Sequence, residues 1–212
     1  MSRPQATGID RRRFLGVAAG ATVAVGLAGF GFLHGVPAAR AQARGVGRAL
    51  TVFYSRTGHT RSVAEAIHRR VGGDLVRVDT ATPYPEDYDA TVAQARRERD
   101  SGAWPQLATR VESIRDYDIV FLGTPIWGDH LNPPMKRFLS DHAAALSGTA
   151  LAPFATYIVS RMGQVRGNIL DIAPGVRLRD GLAIRGEDAA RPDRDVDVWL
   201  GRLGLPLRQI ER

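Results

Sequence analysis

Read along the chain, apolar positions fall into short runs separated by polar stretches of helical spacing. Leu50-Thr51-Val52-Phe53-Tyr54 is a β-branched and aromatic run of strand length, and apolar residues then recur at helical spacing over Arg61–Ile67. The helix is expected to end near Val71-Gly72-Gly73, and the alternation of Asp74-Leu75-Val76-Arg77-Val78 predicts a second strand. A helix between two strands at this distance fits a parallel crossover unit. A turn at Thr82-Pro83-Tyr84-Pro85 precedes a polar helix from about Asp87 to Arg99. Tyr117–Gly123 is apolar nearly throughout, as a central strand covered on both faces requires. Beyond it lie a Pro- and Gly-rich loop to Pro134, a helix over Met135–Ala145 with Lys136 and Arg137 on its outer face, and a fourth strand from Thr149 to Val159. A loop at Ser160-Arg161-Met162-Gly163 and a helix including Asn168–Ile172 follow. Val176-Arg177-Leu178 and Leu182-Ala183-Ile184 form or flank the last strand, and Val196–Leu203 closes the chain as a helix. Five strands alternating with helices predict an α/β fold: a doubly wound parallel sheet in a three-layer α/β/α arrangement.

The first 43 residues stand apart. Asp10-Arg11-Arg12-Arg13-Phe14-Leu15-Gly16 leads into a Gly- and Ala-rich apolar run from Val17 to Leu33, then Ala41-Gln42-Ala43. Charged, apolar and small-residue regions in that order predict an export signal, and the Arg-Arg-x-Phe-Leu core resembles the twin-arginine type, read by the twin-arginine (Tat) export machinery. Residues 44–212 are then the folded domain and the expected location is the periplasm, with tethering by an uncleaved signal as the alternative. The run is shorter than the ~20 apolar residues of a spanning helix and is diluted by Gly20, Gly26, Gly29 and Gly31.

Composition narrows the chemistry. Of 29 Lys and Arg and 22 Asp and Glu, five and one respectively lie in the first 43 residues, so the remainder is nearly balanced. No basic run with interleaved aromatics follows residue 44, which argues against nucleic-acid binding. The absence of Cys removes thiol redox chemistry and iron–sulfur ligation. No His/Asp/Glu group has metal-ligand spacing, and Ser55 lacks the Gly-x-Ser-x-Gly elbow of an esterase. Electron transfer would need a bound organic cofactor.

Two stretches carry candidate chemistry. Ser55-Arg56-Thr57-Gly58-His59-Thr60 joins the first strand to the first helix, where backbone N–H groups and hydroxyls favour an anion. Taken alone, the window equally fits a helix start that Thr57 or Thr60 merely caps. Thr124-Pro125-Ile126-Trp127-Gly128, after the third strand, puts a Trp at the carboxyl edge of the sheet, facing the first loop across one crevice. His130 follows two residues later.

The pattern Ser55-x-Thr57-Gly58-x-Thr60 resembles the phosphate loop of the flavodoxin family. Thr82-Pro83-Tyr84-Pro85-Glu86-Asp87-Tyr88, Phe121-Leu122-Gly123-x-Pro125-Ile126-Trp127 and Ala173-Pro174-Gly175 extend the likeness over about Ala49–Ile184, to a branch of flavodoxin-like reductases. The resemblance implies a five-stranded sheet of order 2-1-3-4-5 and FMN as cofactor, with the phosphate on the first loop and Trp127 or its neighbours against the ring. A third loop of small residues meets the flavin in that family. Here only Thr156, Ser160 and Gly163 fit its register, with Tyr157, Ile158, Val159 and Arg161 between them, so bulk there would shield the ring, displace it or weaken its binding. The implied functions are electron transfer or reduction of a small acceptor such as a quinone, the redox partner being unspecified. An NAD(P)H-dependent FMN reductase and a flavin-less binding module are the alternatives.

Overall fold

The computed structural model describes residues 47–208; the export signal expected over residues 1–43 lies outside the described residues. Strand β1 (Ala49–Phe53) is buried at every position and pairs in parallel with β2 (Asp74–Arg77) on one side and β3 (Ile119–Trp127) on the other. The crossover from β1 to β2 is helix α1 (His59–Val71), whose chain reverses at Gly72. β3 pairs in turn with β5 (Ala150–Tyr157). The fifth sheet position is shared by β6 (Arg177–Leu178) and β7 (Leu182–Arg185), both parallel to β5. The order is therefore the expected one, with the last strand broken in two.

Pro153 explains the break. The carbonyls of Thr149 and Leu151 accept from Arg177 and Arg179, so odd-numbered residues of β5 face the fifth strand. Pro153 faces it too but has no N–H to donate, and the neighbouring strand is interrupted between Leu178 and Leu182.

Helices cover both faces. α1 and α5 (Asp193–Arg202) pack on one side, where Val63, Ile67, Trp199 and Leu200 are fully buried against Phe121 and Phe154. The Trp199 indole meets Phe121 edge-on at 5.7 Å and donates to the Asp180 carbonyl. On the other side α3 (Pro133–His142) and α4 (Val165–Ile172) bury Met135, Phe138, Leu139 and Ile169 against Leu50, Val52 and Leu122. Burying each such side chain contributes about 1.5–3 kcal/mol. Asn132 caps α3 through the Met135 N–H, and Pro133 and Pro134 occupy its first turn, where no donor is needed.

Two local features depart from expectation. Thr124–Trp127 is not a loop: β3 continues through it and folds back on β4 (His130–Leu131), pairing Ile126 with Leu131 and Trp127 with His130. Gly128 and Asp129 both have positive φ (55° and 73°), which gives a two-residue turn whose twist matches the strands it joins. Lys136 is not on the outer face of α3, because only 8% of it is exposed. The expected polar helix is α2 (Tyr88–Ser101), capped by Asp87; it buries Thr91 alone, so its place is fixed at its rim and not by a core.

Candidate functional site

The strand order reverses between β1 and β3, and open α/β sheets bind ligands outside the carboxyl ends of strands at such a point. A cavity of about 600 Å³ lies there.

Its first wall is the loop after β1. Gly58 occupies the N-cap of α1 with φ 94°, no side chain caps the helix, and no acidic residue lies in the first turn. The Ser62 N–H reaches the Gly58 carbonyl. Among the described residues, the N–H groups of His59, Thr60 and Arg61 donate to no side chain or loop carbonyl. They meet the positive end of the helix dipole, worth about half a charge. A Cβ added at Gly58 would meet nothing within 4 Å, so the space before these donors is open. Ser55 is buried and shapes the loop by accepting from the Gly58 N–H at 3.2 Å. Thr57 is exposed to the cavity, whereas Thr60 is buried.

The second wall is the β3–β4 hairpin. Pro125, Ile126, Trp127 and Gly128 line the cavity. The Trp127 indole is set by two edge-on contacts, with Tyr54 at 5.6 Å and Tyr84 at 5.2 Å. Thr124, fully buried, donates to the Pro125 carbonyl and supports the hairpin from behind.

The third wall comes from the end of β5. Thr156, Tyr157 and Ile158 line the cavity. Ile158 and Val159 are 78% and 83% exposed, so their bulk points outward at the mouth and leaves the cavity open. Ser160 and Gly163 do not line it. The Ser160 carbonyl closes a turn with the Gly163 N–H, and a Cβ at Gly163 would collide with the Asp129 carbonyl at the hairpin tip. The Gln164 N–H donates to that same carbonyl at 2.8 Å. Of the residues singled out in the sequence, Arg56, Thr57, His59, Thr60, Pro125, Ile126, Trp127, Gly128 and Thr156 thus meet in one cavity. Ser55, Gly58, Thr124, Ser160 and Gly163 shape the loops around it. His130 turns away, its ring nitrogen 3.3 Å from Asn168.

The fourth wall, helix α2, is one that sequence patterning missed. Tyr88, Val92, Arg96 and Arg99 recur along one face and line the cavity. That spacing was present in the sequence, but a polar helix without a buried stripe reads as solvated surface. Arg56 donates to the carbonyls of Pro85 and Glu86 just before the helix. Tyr84 donates to Glu98, and burial, then that carboxylate, push its phenol far above the ordinary range. Arg185 and Glu187 complete the lining as an ion pair at 3.0 Å. Among the described residues no group of His, Cys, Asp and Glu could hold a metal, and no helix is long and apolar enough to cross a membrane.

An anion-receptive loop and an aromatic hairpin facing each other at the switch point define a doubly wound protein of flavodoxin type. The family described as Flavodoxin matches residues 48–202, and the chain belongs to that family. Among solved structures it resembles a putative flavoprotein from Bacteroides eggerthii, with 26% identity and a TM-score of 0.66 over 75% of this chain and 99% of that one. A putative flavoprotein from Bacteroides uniformis is 23% identical, with a TM-score of 0.62 over 73% and 98%. A flavoprotein from Lactobacillus acidophilus, solved in complex with FMN, is 20% identical, with a TM-score of 0.58 over 72% and 98%. Comparison with curated proteins finds no match.

Proposed function

We propose that this protein binds FMN in the crevice and, once exported to the periplasm by its twin-arginine segment, passes electrons to a small acceptor such as a quinone. One observation carries the reading: a single cavity joins the uncapped start of α1 to the apolar wall of Pro125, Ile126 and Trp127. Such a cavity suits a ligand with a phosphate at one end and a flat aromatic system at the other. Its volume lies within the ~300–1,000 Å³ of small-molecule sites. The FMN complex of the Lactobacillus relative supports the same assignment.

Bound there, FMN supplies the redox chemistry. The chain contributes binding and orientation. The amides of His59, Thr60 and Arg61 and the hydroxyl of Thr57 hold the phosphate, and Arg56 adds charge beside them. Trp127, braced by Tyr54 and Tyr84, presents an aromatic surface to the cavity. Ile126 and Pro125 line the apolar end.

Titrating the purified domain with FMN and with riboflavin tests the cofactor. FMN should bind more tightly by the contribution of its phosphate, and absence of flavin binding overturns the reading. Oxidation of pyridine nucleotide by the loaded protein would make it an NAD(P)H-dependent reductase. Replacing Arg11 and Arg12 by Lys should retain the chain in the cytoplasm, and unchanged fractionation would overturn the export route.

A further inference from the structure

We propose that the α2 side of the crevice is a second anion site, built on Arg96 and Arg99, that takes a small flat molecule carrying a carboxylate, sulfonate or phosphate beside the cofactor. The inference rests on the FMN reading above and names the class of molecule that reacts there.

Helix α2 spans the crevice from end to end. Its start is tied to the phosphate loop through Arg56 and the Pro85 and Glu86 carbonyls. Its last turn reaches the hairpin tip, where a Cβ on Gly128 would lie 2.9 Å from Arg99 Nη1. From Tyr88 to Arg99 the helix advances about 16 Å, so a phosphate seated at the start of α1 does not also satisfy the far end.

The charges at the two ends are not equivalent. Near the phosphate loop, Arg56 is engaged by carbonyls, and Arg185 is paired with Glu187. At the far end Arg96 and Arg99 stand three residues apart on one face and turn like charges into the same cavity. Arg99 meets only its sequence neighbour Asp100, itself largely exposed, and among the described residues Arg96 forms no ion pair. Behind them sits buried Lys136, whose ammonium is pushed down by burial and then by the charge of Arg99, with Asp171 as the opposing acid. Apolar surface flanks the pair: Val92 lies on the same face of α2, and Ile158 stands at the mouth, 78% exposed. A helix with one buried residue is not shaped by the core it covers. Arg96, without an ion pair among the described residues, and Arg99, held only by its exposed neighbour Asp100, stand beside exposed aliphatic surface and suit a ligand with an acidic group on a flat apolar body.

The test uses the FMN-loaded protein and calorimetric titration with naphthalene-2-sulfonate and with neutral 2-naphthalenemethanol. The sulfonate should bind at least about tenfold more tightly, and R96Q or R99Q should each lower its affinity about tenfold or more. The alcohol's affinity should not change in either variant, both titrated after FMN loading is verified by flavin absorbance. Equal binding of the two probes, or equal losses for both in the variants, overturns the second site. A protein that takes up FMN but does not distinguish the probes refutes this inference alone, whereas one that takes up no FMN refutes the cofactor reading and this one with it.

Discussion

The hydroxyls of Thr60 and Thr156 lie 2.8 Å apart, buried beside the cavity, so the first turn of α1 and the end of β5 share one buried hydrogen bond. Thr57, by contrast, is exposed at the cavity. The two loop threonines therefore have separable roles. T57V should weaken FMN about tenfold to a hundredfold by removing a donor to a charged group, leaving riboflavin binding and thermal stability unchanged. T60V should also destabilise the fold by about 1–3 kcal/mol, because the Thr156 hydroxyl is left buried without a partner. T60V/T156V should recover part of that loss, and thermal melts of the three variants measure it.

Gly163 is where the third loop touches the hairpin tip, at φ 45°. G163A should cost about 1–3 kcal/mol for the left-handed backbone, and its Cβ would push Asp129 away. Since Gly128 and Trp127 are continuous with Asp129, the emission of Trp127 should shift in the same variant. A melting point equal to that of the parent would show that the two loops are not in contact.

The Tyr84 phenol is held protonated by burial and by the bond to Glu98. Its folded pKa exceeds the ordinary value of about 10, so its contribution to stability is complete below pH ~10 and lost as pH rises above it. Tyr54, raised mainly by burial, and Tyr117, raised mainly by its bond to Asp74, act in the same direction. Y84F should cost about 1 kcal/mol at neutral pH. It should also make the alkaline decline shallower by up to about 1.4 kcal/mol per pH unit. Urea denaturation at several values above pH ~9 would read both effects.

Lys136 places an ammonium in the packed face of α3, and burial holds its pKa down. K136M keeps the length of the side chain and removes the charge. Its denaturation midpoint should equal or exceed the parent's, whereas K136E, with a charge equally buried, should lower it.

How far the sequence could be read depended on what shaped each element. β1, β3 and α1 were legible because burial on both faces, or on one stripe, writes itself into apolar spacing. The hairpin was missed for a different reason: Pro125 and Gly128 read as loop punctuation, whereas Gly128-Asp129 is turn chemistry that lets β3 continue. Lys136 follows two prolines and a methionine in a helix whose apolar stripe is broad, and charge alone assigned it to the surface. The first loop and Trp127 lie in local patterns, and the structure brings them to one cavity. Arg96 and Arg99 enter the cavity only because α2 is held at its two ends by Arg56 and Tyr84, contacts that no local window contains.

The interrupted fifth strand bears on self-association. An unpaired sheet edge is a template on which another chain can add a strand, and the risk grows with the length of regular backbone it offers. Here one edge consists of β6 and β7, two and four residues long, and the other of β2, also four. Pro153 thus does more than remove a donor within the sheet. By dividing the strand beside it, it leaves a second molecule no continuous ladder on which to aggregate.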